Sequence, residues 1–177
     1  FDGEPHASVL SHPELAERAF VISSFGKTYH VTGWKIAYCA APERFSALLR
    51  KIHQYLTFTT ITPVQYALAD FMQSCPEHYE NLPDFYQAKR DLFCELMRET
   101  KFKFEPSAGT YFQLADYTEL SELPDTEYVR HLTIDKGVAA IPLSVFYEEP
   151  PEQRLIRFCF AKDDDTLRTA VDILAGL

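Results

Sequence analysis

Residues 24–35 read Ser-Phe-Gly-Lys-Thr-Tyr-His-Val-Thr-Gly-Trp-Lys, and they follow the apolar run 19–23, Ala-Phe-Val-Ile-Ser. The apolar run predicts a short buried strand that ends at a turn. Lys27 is therefore expected at the mouth of a strand, with Ser24 three residues before it and Lys35 eight residues after it. A lysine amine can form a Schiff base with a carbonyl, and a hydroxyl and a second cation suit a phosphate group. The pattern thus predicts a site for a phosphorylated aldehyde cofactor.

Two other motifs share these residues. Residues 26–28, Gly-Lys-Thr, match the end of a nucleotide-binding P-loop, but that loop needs a glycine five residues earlier, where this chain has Val21. Ser24-x-x-Lys27 also matches the nucleophile motif of penicillin-recognising enzymes, which carry Ser-Asp-Asn and Lys-Thr-Gly elsewhere. Neither tripeptide occurs in the sequence, so both alternatives fail. The remaining alternative is that Lys27 is a loop lysine that only faces solvent. The motifs that follow along the chain argue against this alternative.

Further motifs extend the pattern along the chain. They are Thr-Gly-Trp-Lys at 32–35, His-Gln-Tyr-Leu-Thr-Phe at 53–58, Gly-Thr-Tyr-Phe at 109–112, Gly-Val-Ala-Ala-Ile-Pro at 137–142 and Arg-Phe-Cys-Phe at 157–160. Together with Ser-Phe-Gly-Lys-Thr at 24–28, they resemble the fold-type I pyridoxal-phosphate aminotransferases. Within that family, the sequence is most similar to the methionine and kynurenine (glutamine) aminotransferase group. The likeness runs in order along almost the whole chain.

The resemblance implies an α/β fold with two parts. Residues 1–86 would form the C-terminal part of a doubly wound large domain that binds pyridoxal 5'-phosphate, and residues 87–177 a small C-terminal α/β domain. Members of the family are about twice as long as this sequence. The chain is therefore expected to be the C-terminal half of such an enzyme, with the remaining cofactor contacts in the other half.

Periodicity predicts the elements in more detail. Strands are predicted at 34–40, 138–141 and 155–160, with a strand pair within 102–117. Helices are predicted at 42–56, 62–73, 76–99 and 125–136, and from 163 to the end. A capping box is expected at the start of the second helix, where Thr62 would cap the backbone and Gln65 would reach back.

The resemblance implies a role for each cofactor residue. Lys27 would be the Schiff-base lysine and the base that moves a proton between the substrate α-carbon and the cofactor. Ser24 would bind the phosphate by a hydrogen bond, and Lys35 would bind it as a cation in place of the arginine found in many relatives. The alternatives are that Ser24 only caps a turn and that Lys35 faces solvent.

Arg157 stands alone in the apolar run 155–160. A lone cation in such a strand is costly to bury unless it meets an anion, and a guanidinium binds a carboxylate with two parallel hydrogen bonds. Arg157 is therefore predicted to bind the substrate α-carboxylate. The alternative is that Arg157 lies on an edge strand and faces solvent.

In similar enzymes the segment with Phe58 and Thr59 reaches the neighbouring subunit's active site, where Phe58 would favour substrates with uncharged side chains. The alternative for Phe58 is a place in the core.

Composition limits the partners. With 17 basic and 26 acidic residues the net charge is −9, which argues against nucleic acid or an anionic membrane as partner. No apolar run approaches the length of a membrane span, and no pair of histidines suggests a metal site. The four cysteines are widely spaced, which favours reduced thiols and the cytoplasm.

These observations predict a cytoplasmic, homodimeric aminotransferase. It would transfer an amino group from methionine, glutamine or an aromatic amino acid such as kynurenine to a 2-oxo acid. A carbon–sulfur β-lyase on the same fold is the nearest alternative. The aminotransferase-like effector domain of a transcription regulator is a second one, which only an upstream DNA-binding segment would reveal.

Overall fold

The computed structural model describes residues 1–177, which divide into two compact units. One unit is Pro5–Leu82, and the other combines Phe1–Glu4 with Pro83–Leu177. The assignment of these parts to the large and small domains of an aminotransferase stays a prediction.

The unit Pro5–Leu82 contains a two-stranded antiparallel sheet and five helices. Strand β1 is Val21–Ser24 and strand β2 is Ala37–Ala40. The helices are α1 Pro13–Ala16, α2 Phe25–Thr28, α3 Glu43–Leu56, α4 Thr62–Ser74 and α5 Glu77–Glu80. Two 3₁₀ turns, Val9–Ser11 and Thr32–Trp34, complete it.

Three predictions for this unit are wrong in detail. The buried strand predicted at 19–23 is Val21–Ser24 and has no buried residue, with Ile22 73% exposed. The strand predicted at 34–40 begins only at Ala37, because Thr32–Trp34 form a 3₁₀ turn and Lys35 takes a left-handed conformation with φ 51°. The capping box at Thr62 does not form, since Thr62 is already helical and the cap residue Ile61 makes no side-chain hydrogen bond. The Gln65 amide donates instead to the Thr60 carbonyl, at 3.0 Å.

The unit with Pro83–Leu177 is built on a three-stranded antiparallel sheet in the order β3-β5-β4. The strands are β3 Phe112–Asp116, β4 Ile141–Pro142 and β5 Leu155–Cys159. The helices are α6 Leu82–Met97, α7 Asp125–Asp135 and α8 Asp164–Ala175. A 3₁₀ turn, Ser144–Phe146, follows β4.

Three predictions for this part of the chain also need correction. The helix predicted at 76–99 is divided into α5 and α6, with Pro83 in the first turn of α6, where a missing N–H is tolerated. The strand pair within 102–117 is one strand, β3, joined by a single bridge between Lys103 and Asp116. The strand predicted at 138–141 is replaced by the two-residue strand β4, Ile141–Pro142, which overlaps the predicted range only at Ile141.

The hydrophobic core of this unit lies on one face of the sheet. Along β5, Ile156 and Phe158 are buried, while the alternate residues are half-buried. Because side chains of a strand alternate between faces, Arg157 lies on the face opposite the core. The core is completed by side chains of the three helices, chiefly Phe93, Met97, Tyr128, Leu132, Leu167, Val171 and Leu174.

The segment Phe1–Glu4 joins this unit through an ion pair. Arg90 is 3% exposed, and its two terminal nitrogens donate to the Asp2 carboxylate at 2.5 and 2.6 Å. One of them also donates to the Ser107 carbonyl at 2.9 Å. The hydrogen bonds from Arg90 lower the pKa of Asp2 below its usual value, so the pair is charged at neutral pH.

No helix of the chain combines the length and the apolar composition that crossing a membrane requires.

Candidate active site

The three predicted cofactor residues, Ser24, Lys27 and Lys35, lie in sequence at the end of β1 and in the connection from β1 to β2. Ser24, the last residue of β1, pairs with Ala37, the first residue of β2. One step further on, the Phe25 N–H donates to the Ile36 carbonyl at 3.1 Å. The connection that holds Lys27 and Lys35 therefore starts and returns at the Ser24 end of the hairpin.

Ser24 caps the short helix α2. Its Oγ accepts a hydrogen bond from the Gly26 N–H at 3.1 Å. A hydroxyl has one proton to donate as well as lone pairs to accept, and Ser24 is exposed. Capping the turn therefore leaves its proton available to a phosphate oxygen.

Gly26, which the sequence analysis did not single out, allows the turn to close. It is buried, and a Cβ at this position would lie 3.0 Å from the Thr32 Cα and 3.3 Å from the Val31 carbonyl oxygen. The Val31 N–H also donates to the Gly26 carbonyl at 3.0 Å. The backbone beside Lys27 thus packs closely against residues 31 and 32, while the Lys27 side chain is exposed.

His78, on α5, holds the other end of the same turn. Its Nε2 lies 2.9 Å from the Thr28 carbonyl oxygen. Since a carbonyl can only accept, Nε2 carries the proton in this contact. The His78 ring also stacks on Tyr29, with centroids 5.5 Å apart. His78 lies 50 residues from Thr28 in sequence, so no local pattern could have revealed this contact.

Lys35, Phe58 and Thr59 line one concavity of about 1280 Å³. Phe58 is 79% exposed, so it does not belong to a core within this unit, and its backbone is left-handed with a φ of 68°. Trp34 and Tyr38 add further aromatic surface to the wall. The concavity therefore offers a cation beside apolar and aromatic side chains within the unit Pro5–Leu82.

Arg157 occupies the central strand of its own sheet, which rules out the edge-strand alternative. Its Nε is buried and has no hydrogen-bond partner. The six ion pairs of the chain all involve other residues. The Cζ atom lies 4.0 Å from the centroid of the Phe112 ring and 5.3 Å from that of the Phe146 ring. Arg157 is thus a half-buried cation that no anion of the chain neutralises.

The sequence profile of the aminotransferase class I and II family matches residues 2–174. The chain therefore belongs to this family, as the motifs predicted.

Among curated proteins, the methionine aminotransferase of Escherichia coli (strain K12) is 54% identical over 177 residues, which cover 100% of this chain and 46% of that protein. A kynurenine–oxoglutarate transaminase of Dictyostelium discoideum is 33% identical over 199 residues, with 100% and 46% coverage. The chain thus spans about half the length of these relatives.

A solved structure gives the same result. The Escherichia coli protein YbdL, whose crystal structure and reactivity identify a methionine aminotransferase function, superposes with a TM-score of 0.93 and 55% identity. The superposition covers 97% of this chain and 46% of the other. It confirms the predicted fold class, that of the fold-type I aminotransferases.

Proposed function

We propose that this chain forms part of a pyridoxal-phosphate-dependent aminotransferase that acts on methionine, glutamine or an aromatic amino acid such as kynurenine, with a 2-oxo acid as acceptor. The observation that carries the proposal is that Ser24 ends β1 and that Lys27 and Lys35 both lie in the short connection from β1 to β2. The similarity to a methionine aminotransferase and to a kynurenine–oxoglutarate transaminase supports the substrate class.

The donor set at the hairpin end fits pyridoxal 5'-phosphate. Lys27 offers an exposed amine for the aldehyde carbon, Ser24 has a free hydroxyl proton for the phosphate, and Lys35 adds a cation. When bound, pyridoxal phosphate supplies an aldehyde that condenses with amines and a ring that accepts electrons from the substrate α-carbon. A protein of net charge −9 needs such local cations to hold a dianionic phosphate.

Lys27 is the proposed base of the reaction. Its Nζ would take the proton from the substrate α-carbon and hold it until the proton is delivered to the carbon of the cofactor that was the aldehyde. The turn that carries it is fixed on both sides, by the close packing of Gly26 and by the His78 hydrogen bond to Thr28. A base that moves one proton between two carbons needs such a fixed backbone, because small displacements lower the rate strongly.

Arg157 is the proposed ligand of the substrate α-carboxylate. It is half-buried, has no anionic partner in the chain and leaves its Nε without a hydrogen bond. A carboxylate satisfies such a guanidinium with two parallel N–H···O bonds. Within the unit Pro5–Leu82, the exposed Phe58 ring and the neighbouring Thr59 are proposed to supply an uncharged wall that suits the side chains of methionine and aromatic substrates.

We also propose that the protein works as a cytoplasmic homodimer. Helix α3 has no buried residue, although Leu48, Ile52, Tyr55 and Leu56 on it are 56%, 57%, 87% and 80% exposed. Apolar side chains in such number support burial against another protein surface. The four free cysteines support a reducing compartment. The mass in solution, measured by light scattering, tests the dimer.

The catalytic proposal is tested with the full-length protein, pyridoxal phosphate, methionine and a 2-oxo acid. We expect the oxo acid of methionine and the aminated acceptor in equal amounts. Lys27→Ala should abolish this turnover, whereas Lys136→Ala, which removes an exposed lysine at the end of α7, should not. Turnover of Lys27→Ala within about tenfold of the wild type would refute the role of Lys27. Pyruvate and ammonia from a cysteine S-conjugate, without amino transfer, would favour the β-lyase.

A further inference from the structure

We propose that Phe112 and Phe146 are positioning residues, which hold the Arg157 guanidinium in one orientation, and that Asp125 holds the turn that presents Phe146. The inference rests on the proposed function in one respect, namely that Arg157 binds the substrate α-carboxylate.

The two rings are the contacts that restrain the end of the Arg157 side chain. Its Cζ lies over the Phe112 ring at 4.0 Å and over the Phe146 ring at 5.3 Å. Both distances fall within the range of about 6 Å over which a guanidinium is attracted to an aromatic face. No hydrogen bond or ion pair of the chain competes for its N–H groups, and Nε is buried.

The sheet register places Phe112 beside Arg157. On the face opposite the core, Arg157 of β5 pairs with Leu114 of β3, and Cys159 pairs with Phe112. Phe112 is therefore the diagonal neighbour of Arg157 on the same face, a spacing that aromatic and long side chains can bridge. The backbone of β3 and β5 thus fixes this first ring.

Phe146 needs a different anchor, because it is 60% exposed and lies in the 3₁₀ turn Ser144–Phe146. Asp125, which is 7% exposed, accepts hydrogen bonds from the Ser144 N–H at 2.7 Å and from the Ser144 hydroxyl at 2.6 Å. Burial raises the pKa of Asp125, but hydrogen bonds from Ser144, Thr126 and Leu143 outweigh it and lower the pKa below the usual value. An ionised carboxylate therefore holds the turn at neutral pH.

The arrangement explains how an unpaired guanidinium can be ready for a carboxylate. Contacts between the Cζ atom and the two ring faces use no N–H group as a hydrogen-bond donor to an oxygen, and a carboxylate binds a guanidinium with two parallel hydrogen bonds. A side chain already held in the binding orientation loses less conformational entropy when the ligand arrives. The rings should therefore contribute to substrate affinity and have little influence on the proton-transfer step.

The test uses the full-length enzyme with pyridoxal phosphate. We expect Phe146→Leu to raise KM for methionine about threefold to tenfold, with kcat within about twofold. Phe146→Tyr keeps an aromatic ring at this position, so its KM for methionine should equal that of the wild type. Phe85→Leu is the matched control, because Phe85 is 50% exposed and lies over the cation of Lys89 at 5.6 Å. The preference for methionine over 3-(methylthio)propylamine, the same molecule without its carboxylate, should fall in Phe146→Leu only.

Arg157→Lys separates this inference from the proposed function. If Arg157→Lys raises KM while Phe146→Leu behaves like Phe85→Leu, the positioning role is wrong and the carboxylate site stands. If Arg157→Lys leaves KM unchanged, the carboxylate site itself is wrong. In the Arg157→Lys background, Phe146→Leu should add little, since the two act through the same contact. Fully additive effects in the double variant would overturn the inference.

Discussion

Replacing Gly26 by alanine should disturb the turn that carries Lys27. The added Cβ would meet the Thr32 Cα at 3.0 Å, the Ser24 Oγ at 3.2 Å and the Val31 carbonyl oxygen at 3.3 Å. Carbon atoms in good contact are about 3.5–4.0 Å apart, so the Thr32 backbone would have to retreat by about 0.5 Å. A backbone atom cannot rotate away as the end of a flexible side chain can.

The expected cost follows from two opposing effects. Overpacking at a tight site destabilises a protein by about 1–3 kcal/mol. The change from glycine to alanine in a helical turn returns about 1 kcal/mol, because alanine loses less backbone entropy on folding. The net loss for Gly26→Ala should therefore be about 0–2 kcal/mol. The shift should also weaken the Ser24 cap and displace Lys27, so that cofactor is held less tightly.

Gly33→Ala is the matched control in the same connection. A Cβ at Gly33 meets nothing within 4 Å, so this variant should be neutral or more stable by about 0.4–1 kcal/mol. Both variants would be compared by urea denaturation and by the visible absorbance of the cofactor bound at Lys27. Equal stability and equal cofactor retention in the two variants would refute the argument from close packing at Gly26.

Two further predictions concern contacts outside the hairpin end. Asp125→Asn should lower the free energy of unfolding at pH 7 by about 1–3 kcal/mol, because Ser144 loses its charged acceptor. Since the folded pKa of Asp125 is lowered, its contribution is present above about pH 4 and is lost as the pH falls through the folded pKa. Urea denaturation should thus show a smaller difference between wild type and variant in acid, and a constant difference would contradict this. His78→Phe keeps the ring on Tyr29 but removes the hydrogen bond to Thr28, so thermal unfolding should show a loss of about 1 kcal/mol. An unchanged melting temperature would show that the bond contributes nothing.

The local elements were predictable from the sequence because they depend on short-range periodicity. The apolar stripe of α3 and the cluster of aspartates at the start of α8 are both visible within a few neighbouring residues. The observed bounds Glu43–Leu56 and Asp164–Ala175 agree closely with the predictions. Two of the errors fall at positions where backbone geometry or a proline overrides the pattern. Lys35 is left-handed and shortens β2, and Pro83 lies in the first turn of a separate helix, α6.

The placement of the candidate site residues was also predictable where it depends on a short stretch of sequence. Lys27, Ser24 and Lys35 lie within twelve residues of one another, so a linear motif could predict their common place at the hairpin end. Their roles in binding and catalysis stay predictions, as do those of Phe58 and Thr59.

No sequence pattern predicted the contacts that His78, Asp125 and Arg157 make in the structure. The sequence by itself determined the family, the long helices α3, α4, α7 and α8 and the lysine at the strand end, because each depends on motifs or periodic patterns that are local in the chain. Only the tertiary structure decided that His78 bonds to Thr28, 50 residues away, and that Asp125 holds Ser144, 19 residues away. It also decided that the Arg157 guanidinium meets two rings and no carboxylate. The physical reason is that hydrogen bonds and aromatic contacts form between groups that packing brings together, and their sequence separation leaves no periodic trace.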